Sequence, residues 1–343
     1  MTDVVGEPIL NRRAWRGGEL QERADWVVSL SREQVSGLYQ LADSLPEDSN
    51  DWPGFGLDGK YPESLTELMS SVATELGTGR GFALLRGIDP SDIERLRRVF
   101  WAFARGIGDP VMQNAKGEVL SIVADRFAGA ERGRDTRGYE SNDELRFHCD
   151  GGDCIAMCCI HQAPQGGMNG LVSLFAIYNE ILANYPEHLE TLKAGYELYS
   201  RKEQGDAAST KKLGKVQQQR IPVFAWHEGR MSAWLNIQLA EIAAEVTGKN
   251  FSVAEREALA CVEAIANRSD MQLTFMQQPG DILLINNLAV MHRREKYFDS
   301  EDPAEKRSLY RMWLNLHNSQ PVPASHSALR RGIRGPSPSI TAL

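Results

Sequence analysis

Two histidines and an aspartate form the most chemically informative pattern in the sequence. His148 and Asp150 lie two residues apart in the segment FHCD, and His292 lies far downstream in the segment NNLAVMHRR. In a β-strand, residues i and i+2 share a face, so His148 and Asp150 can bind one ion while Cys149 points away. Two imidazoles and one carboxylate on one face of a metal leave the opposite positions open, as in non-haem Fe(II) oxygenases. These residues therefore predict an iron centre that activates O₂.

Two arginines in an apolar segment downstream of His292 predict a carboxylate ligand. Arg307 and Arg311 lie in the β-like segment RSLYRMWL. A guanidinium group presents a planar fork of donors that can bind a carboxylate through two bonds, and its burial on a strand is costly unless it meets an anion. Because their numbers differ by four, the two arginines share a strand face, and alternation alone does not decide which part of the ligand each contacts.

Five segments, in this order, resemble the taurine dioxygenase-like branch of the Fe(II)/2-oxoglutarate-dependent oxygenases, which includes the clavaminate synthase-like enzymes. The resemblance covers most of the chain. It implies Fe(II), with 2-oxoglutarate and O₂ as cosubstrates, and hydroxylation of an unactivated C–H bond with release of succinate and CO₂. The segments are GRGFALLRGID (79–89), FHCDGGD (147–153), QGGMNGLVS (165–173), PGDILLINNLAVMH (279–292) and RSLYRMWL (307–314).

The resemblance also implies roles for individual residues. His148, Asp150 and His292 are the implied iron ligands. Arg311 is the implied anchor for the distal carboxylate of 2-oxoglutarate, and Arg307 is the implied second contact near the metal-bound end.

Three further residues extend or qualify this resemblance. Ser173 follows the Gly-Gly segment where the family often has a hydroxyl residue touching the distal carboxylate, which implies the same contact here. Cys149 stands between the metal ligands where the family pattern has threonine, but it leaves every ligand in place. For Asp153, in the same glycine-rich loop, we weigh a metal role against a turn or cap role and favour the turn.

The cysteines crowd around the metal segment in an odd number and without a C-x-x-C pair, which disfavours a disulfide framework. A zinc cluster of Cys149, Cys154 and Cys158 is an alternative. Because CIAMCCI has the composition of an apolar strand in which cysteine acts as a small hydrophobic residue, we expect these side chains in the core. The five cysteines are Cys149, Cys154, Cys158, Cys159 and Cys261.

Composition and charge point to a small-molecule enzyme. The 343 residues carry a formal net charge of −8, which disfavours nonspecific binding to nucleic acids or anionic membranes, because both depend on basic patches. The N-terminal segment lacks a signal pattern, and no stretch approaches the roughly 20 apolar residues of a transmembrane helix. We expect a cytoplasmic protein whose partner is a small-molecule substrate, and a homo-oligomer is compatible with the sequence.

The elements that must position these residues begin with helices. Apolar residues at helical spacing predict one helix after Ser31, a second after Pro62 and a third after the capping-box signature at 91–94. Between the second and third, GFALLRG predicts a buried strand.

Downstream segments are mostly β-like. Many strands with few flanking helices, and metal ligands split between an early and a late strand, favour an α+β fold with a double-stranded β-helix, the jelly-roll of cupins. We expect a single catalytic domain over 1–343, with mainly helical support over 1–104, the jelly-roll core over 105–320 and a polar tail over 321–343. The predicted strands are 119–123, CIAMCCI, LVSLFA (171–176), a hairpin over 220–236, 273–275, 282–285 and 309–316, and the predicted helices are 179–193 and 239–266.

Several residues are candidates for the substrate side of the site. The charged, glycine-rich stretch 128–143 is either a lid or a solvated loop. Trp226 and Trp234 could line a pocket but are more typical of core aromatic residues, and Asn236 is a candidate polar contact. An anionic substrate would need a cation, for which the candidates are Arg134, Arg137 and Arg146, although solvated surface charge is the simpler interpretation.

The remaining polar candidates have structural interpretations. Asn287 is expected to make the turn that leads into the last ligand-bearing strand. We expect the other histidines to be surface or capping residues, and they are His161, His188, His227, His317 and His326.

Two alternatives to hydroxylation stay open. The same iron oxidant could drive desaturation, epoxidation or ring formation, and sequence does not separate these outcomes. A binding protein on an inactive oxygenase scaffold is disfavoured, because such a scaffold has no need to retain the triad and both arginines.

Overall fold

The structure is a computed structural model that describes residues 3–57, 61–114, 116–126, 138–200, 215–333 and 338–340. The α-helices among these residues are α1 (Gly17–Gln21), α2 (Arg32–Asp43), α3 (Glu63–Gly77), α4 (Ile93–Ile107), α5 (Leu174–Asn184), α6 (Leu189–Ala194), α7 (Ile237–Thr247), α8 (Val253–Ala266) and α9 (Ala324–Ser327). The strands are β1 (Val27–Ser29), β2 (Phe82–Arg86), β3 (Gly108–Val111), β4 (Glu118–Val123), β5 (Leu145–His148), β6 (Cys154–His161), β7 (Gln165–Gly166), β8 (Asn169–Ser173), β9 (Tyr196–Ser200), β10 (Lys215–Ile221), β11 (Phe224–His227), β12 (Arg230–Ala233), β13 (Gln272–Phe275), β14 (Ile282–Asn286), β15 (Val290–Arg294), β16 (Tyr297–Phe298), β17 (Ser308–Leu316) and β18 (Ser339–Ile340).

Two sheets form the centre of the fold. The larger has the strand order β1-β2-β14-β6-β17-β4-β18, with β3 beside the end of β17, and the smaller has the order β13-β8-β15-β5. Side chains from both sheets, including Ile155 and Ile285 of the larger and Leu171 and Met291 of the smaller, belong to one buried core. The two sheets therefore pack face to face, which confirms the prediction of an α+β fold with a jelly-roll core.

Strand alternation divides the larger sheet into two faces. Tyr310, Met312 and Leu314 of β17 pack into the core formed with α2, α3 and α4. Trp313 belongs to the core between the sheets, and Arg311 lines the cavity there. Because side chains alternate along a strand, this single register places the odd-numbered residues of β17 on the inner face.

The predicted N-terminal helices are confirmed as α2, α3 and α4, and the predicted strand GFALLRG is confirmed as β2. Ser31 caps α2 in a capping box with Gln34. The cap of α4 is Asp92, whose side chain accepts from the amide of Arg95, and not Ser91. Either side chain can accept this bond, so the sequence pattern located the helix start only to within one residue.

Three downstream predictions were wrong in their boundaries. The predicted strand LVSLFA ends at Ser173, because the hydroxyl of Ser173 caps α5. The predicted helix 179–193 is instead the end of α5, a 3₁₀ turn that starts at Pro186, and α6. The predicted helix 239–266 is α7 and α8, because Gly248 ends α7 in the left-handed conformation at φ +67°.

The segment after residue 320 is not an exposed tail where the structure describes it. Val322, His326 and Ile340 are buried, and β18 pairs in parallel with β4. No helix among the described residues combines the length and the apolar character that crossing a membrane requires.

Candidate metal centre

The three predicted metal ligands meet between the two sheets. His148 of β5 and His292 of β15 are direct cross-strand partners, and their ring centroids are 4.3 Å apart. Asp150 follows β5 in the next loop, with its Oδ1 atom 3.9 Å from Nε2 of His148. One donor atom from each of the three lies within 4.8 Å of the other two. The antiparallel register of β5 and β15 thus brings together residues that are 144 positions apart in sequence.

Each imidazole can present one ring nitrogen to a metal. Nδ1 of His148 lies 2.8 Å from the carbonyl oxygen of Arg146. A carbonyl only accepts, so Nδ1 carries the proton and Nε2 keeps its lone pair for the metal. Burial lowers the pKa of His292 to about 3, which keeps that ring neutral at physiological pH.

The carboxylate of Asp150 is held from several directions. Its Oδ2 atom accepts from the indole Nε1 of Trp313 at 3.3 Å, and its backbone carbonyl accepts from Nε1 of Trp234 at 3.0 Å. Burial would raise the pKa of Asp150, but the positive charge of Arg311 and the Trp313 hydrogen bond help to hold that pKa below its usual value. The group is therefore an ionised ligand with one oxygen facing His148.

The triad opens onto a cavity of about 350 Å³ between the sheets, which is also lined by Arg307, Arg311, Asn169, Tyr139, Trp234 and Trp313. This volume is in the range of pockets that bind small molecules.

Arg311 lies beside the metal ligands. Its Nη1 atom is 3.7 Å from Oδ2 of Asp150, and its Nε donates to Oε1 of Gln113 at 2.7 Å. The guanidinium carbon lies 3.9 Å from the centroid of the Tyr139 ring. Arg311 is therefore the arginine at the metal end of the cavity.

Arg307 directly precedes β17 and lies four residues before Arg311, which corresponds to a backbone separation of roughly 13 Å at about 3.3 Å per extended residue. Its guanidinium is buried and packs 4.9 Å from the centroid of the Tyr297 ring. Within the described part of the chain it has no ion-pair partner, and its buried Nη1 atom has no hydrogen-bond partner. Burial lowers the pKa of Arg307, so an anionic ligand would relieve a real cost of desolvation. Arg311, for which the resemblance implies the role of distal anchor, is thus the arginine that lies nearer the predicted metal ligands.

Ser173 does not line the cavity, contrary to the contact implied for it. Its hydroxyl donates to the carbonyl of Arg13 and accepts from the amide of Ala176 at 3.1 Å, so both functions of the side chain serve the start of α5. Serine is a preferred N-cap residue, and Ser173 has this role at the start of α5. The family resemblance alone did not predict this role.

Asn169 is a polar residue of the same glycine-rich segment that, unlike Ser173, lines the cavity containing Arg307. It is the first residue of β8, lines the cavity and pairs across the sheet with Arg294. Two residues earlier, a Cβ added to Gly167 would lie 3.3 Å from Nε of Arg307. Sequence reasoning missed Asn169, although its place directly after Gly-Gly-Met was the available signal.

The predicted substrate-side residues divide between the cavity and the core. Trp234 and Asn236 line the cavity, and the side chain of Asn236 caps α7. Trp226 instead packs against Tyr178 at 5.5 Å between ring centroids. Of the segment 128–143, for which a lid was one interpretation, residues 128–137 lie outside the described residues. In the described part, 138–143, Tyr139 lines the cavity.

The predicted substrate cations are less favourable than expected. Arg146 pairs with Glu241 at 2.9 Å and with Glu263 at 2.7 Å, so its charge is already compensated at the surface. Arg134 and Arg137 lie outside the described residues.

Asp153 contacts distant residues, which differs from the turn or cap role that was favoured for it. It is buried, accepts from the amide of Leu316 at 3.1 Å and forms an ion pair with Arg330. Leu329, next to Arg330, lines the cavity and its carbonyl accepts from the amide of Gly152 at 3.0 Å. The C-terminal segment is thereby joined to the metal loop.

Neither the cysteines nor His326 belong to the metal centre. The cysteines are unpaired, and all except Cys261 are buried. Burial raises the pKa of Cys149 and of Cys159 to about 12, so these thiols are neutral core groups, as expected. His326 was expected at the surface but is fully buried between Ser232 and Pro222.

The residues present fit an Fe(II) and 2-oxoglutarate site. Two neutral imidazoles and one ionised carboxylate are the donor set of non-haem Fe(II) centres with open coordination positions. A dicarboxylate in the same cavity would supply the anion that the buried Arg307 guanidinium lacks.

Comparison with known proteins agrees with this chemistry. Residues 43–313 match the family described as "Taurine catabolism dioxygenase TauD, TfdA family". FR-33289 synthase of Streptomyces rubellomurinus is 27% identical over 341 residues, covering 97% of this chain and 98% of that protein. The taurine hydroxylase-like protein SAT17 of Stachybotrys chartarum is 28% identical over 313 residues, covering 87% and 77%.

Solved structures share the fold. An asparagine oxygenase in complex with Fe(II), 3-hydroxyasparagine and succinate superposes with a TM-score of 0.62 at 17% identity, covering 84% of this chain and 93% of that one. The non-haem iron oxygenase OrfP, in complex with Fe and α-ketoglutaric acid, gives a TM-score of 0.59 at 13% identity, covering 84% and 94%. The chain belongs to the taurine catabolism dioxygenase TauD, TfdA family and is a non-haem iron, 2-oxoglutarate-dependent oxygenase.

Proposed function

We propose that His148, Asp150 and His292 hold the iron, that 2-oxoglutarate lies between this centre and Arg307, and that the enzyme hydroxylates an unactivated C–H bond of a small amino-acid-like or carboxylated metabolite. The observation that carries this proposal is that the triad and the buried Arg307, whose Nη1 atom has no hydrogen-bond partner among the described residues, open onto one cavity of about 350 Å³.

Each residue contributes a separate function. The bound iron supplies O₂ activation coupled to the oxidative decarboxylation of 2-oxoglutarate. Arg307 binds the distal carboxylate through its planar fork, and Asn169 adds a neutral hydrogen bond. Arg311 contacts the carboxylate of the metal-bound end and keeps Asp150 ionised. Trp234 and Trp313 fix the Asp150 loop and exclude water from that side of the site.

The proposed substrate class rests on the cavity and on the relatives. A volume of about 350 Å³ must accommodate 2-oxoglutarate and the substrate together, which favours a small metabolite over a peptide. One structural neighbour is in complex with 3-hydroxyasparagine, and OrfP is in complex with a hydroxylated arginine. These complexes support an amino-acid-like substrate for this chain.

Two assays test the proposal. The first measures succinate formed from 2-oxoglutarate with Fe(II) under air and without added substrate. The second incubates the enzyme with the proteinogenic amino acids, short-chain acids and a basic peptide, and searches by mass spectrometry for products that gain one oxygen atom. Succinate formation and one hydroxylated small acid are expected. No succinate, or preferential oxidation of the peptide, would contradict the proposal, and a product that lost two hydrogen atoms would indicate desaturation instead.

We also propose a cytoplasmic location. The unpaired state of all five cysteines supports it, because cysteines of proteins in oxidising compartments are commonly paired. Fractionation of the source cells, followed by immunoblotting, tests this location.

A further inference from the structure

Asn287 connects the two parts of the chain that carry the metal ligands. It lies in the turn between β14 and β15, five residues before His292, and is 0% exposed. Its Oδ1 atom accepts from the amide of Asp150 at 3.1 Å, and its Nδ2 donates to the carbonyl of Gly151 at 3.0 Å. Its own amide donates to the carbonyl of Asp153 at 2.8 Å. One side chain and one amide therefore bind the metal loop at three points.

The metal loop needs such a support. Asp150 lies beyond the end of β5, so no strand pairing holds its backbone. The next two residues are glycines, and Gly152 has a φ of +75°. A Cβ at Gly151 would come within 2.8 Å of the Trp313 ring, so close packing against β17 requires a glycine there. Glycine residues lose more conformational entropy on folding than other residues do. Hydrogen bonds from outside the loop offset this entropic cost.

We propose that Asn287 is a positioning residue for the metal centre: it holds the Asp150 carboxylate at the separation from His292 that one metal ion requires. This inference rests on the proposed iron ligands. Asn287 itself does not line the cavity. Its effect on the metal is transmitted through the backbone of Asp150 and Gly151. Residues that do not touch a metal commonly orient the residues that bind it.

The neighbouring Asn286 provides a matched control. It is also buried and its side chain also makes two hydrogen bonds, but these join the carbonyl of Leu76 in α3 at 2.9 Å and the amide of Leu288 at 2.8 Å. Neither bond reaches the metal loop. Loss of either asparagine side chain should therefore reduce stability, while only loss of Asn287 should change metal binding.

The test measures Co(II) binding, with Co(II) as the spectroscopic substitute for Fe(II) in a histidine and carboxylate site. Calorimetric titration gives the Kd, the visible absorption spectrum reports the coordination, and thermal unfolding reports stability in the absence of metal. We expect Asn287→Ala to weaken Co(II) binding roughly 10- to 100-fold and to alter the spectrum. Asn286→Ala should lower the unfolding temperature and leave the Kd and the spectrum unchanged. Asn287→Ser, a milder change, should act in the same direction and serves if Asn287→Ala does not fold.

Two results would overturn the inference. The first is that folded Asn287→Ala or Asn287→Ser binds Co(II) with the wild-type Kd and spectrum. The second is that Asn286→Ala weakens Co(II) binding as much as Asn287→Ala does, which would indicate a general structural role for both asparagines. Wild-type protein and His292→Ala separate this failure from failure of the proposed function. If His292→Ala binds Co(II) as tightly as the wild type, the ligand assignment fails, and with it both proposals.

Discussion

Arg311 lies beside the metal ligand Asp150, with its Nη1 atom 3.7 Å from the carboxylate Oδ2 atom. Because the two residues meet at the metal end of the cavity, Arg311 is poorly placed to anchor the far end of a cosubstrate. Arg307, four residues earlier, is buried and has no ion-pair partner among the described residues, although each guanidinium has one buried nitrogen without a hydrogen-bond partner, Nη1 in Arg307 and Nη2 in Arg311. The two arginines therefore have different surroundings, although both lie in the same apolar segment, and the different functions proposed for them rest on this difference.

The first prediction separates these arginines. Arg307→Ala should weaken 2-oxoglutarate binding about 10²- to 10⁴-fold, because removing one partner of a buried charge pair costs about 3–5 kcal/mol. Arg307→Lys should restore only part of this loss, since an ammonium group cannot reproduce the fork. Anaerobic calorimetric titration of 2-oxoglutarate into the Fe(II) protein measures both. A mild effect of Arg307→Ala would contradict this assignment if Arg311→Ala strongly weakened 2-oxoglutarate binding and left metal affinity unchanged.

A second prediction distinguishes Asn169 from Ser173. Asn169→Ala should raise the KM for 2-oxoglutarate by roughly two- to tenfold, the effect of one neutral hydrogen bond of about 0.5–1.5 kcal/mol. Ser173→Ala should leave that KM unchanged and instead lower the free energy of unfolding by about 1 kcal/mol through loss of the α5 cap. Steady-state kinetics and urea denaturation of both variants decide the matter. The opposite pattern would restore Ser173 as the cosubstrate contact.

Residue types and spacing were enough to predict that His148, Asp150 and His292 lie together and that both arginines face the same cavity. His148, Asp150 and His292 are the donor set of a non-haem Fe(II) centre, and strand periodicity predicts that residues 307 and 311 of one extended segment share a face. The order of the arginines could not be predicted, because it depends on which end of β17 passes the metal loop. That relationship is set by pairing between strands far apart in sequence.

Local signals also failed where tertiary packing decides. LVSLFA has strand composition throughout, yet the Ser173 hydroxyl ends the strand and starts α5. His326 lies in a polar stretch, and its burial results from contacts with Ser232 and Pro222, about a hundred residues away. The contacts of His326 with Ser232 and Pro222 cannot be predicted from the residues that neighbour His326 in sequence.

His326 leads to a prediction about pH. Nε2 donates to the carbonyl of Pro222 at 2.8 Å, so Nδ1 accepts from the hydroxyl of Ser232 at 2.7 Å. Burial lowers the pKa of His326 from 6.5 to about 4. As the pH falls, the unfolded chain binds a proton before the folded chain does. The contribution of neutral His326 to stability is therefore complete above pH 6.5 and decreases until about pH 4.

Urea denaturation at pH 7 and pH 5 tests this dependence. Between these values the wild type should lose about 2 kcal/mol more of its free energy of unfolding than His326→Gln, which has no titrating group at this position. Equal losses in the two proteins would show that His326 titrates alike in the folded and unfolded states.

The C-terminal segment supplies another prediction. Arg330→Ala leaves the buried Asp153 carboxylate without its ion-pair partner, which should lower the free energy of unfolding by about 3 kcal/mol. Arg331→Ala changes an exposed neighbour and should alter it by less than about 0.5 kcal/mol. Urea denaturation at constant pH measures both variants. Equal, small effects would mean that the segment does not contribute to the folded core.

The most direct test of the central claim measures metal content and 2-oxoglutarate turnover together in the wild type, His148→Ala, Asp150→Ala and His292→Ala. The wild type should bind about one Fe(II) per chain and form succinate, since three ligands on one face leave the opposite positions open for cosubstrates. Each variant should lose turnover, while circular dichroism shows a folded protein. Robust succinate formation in any two of the three variants would contradict the assignment of the metal centre.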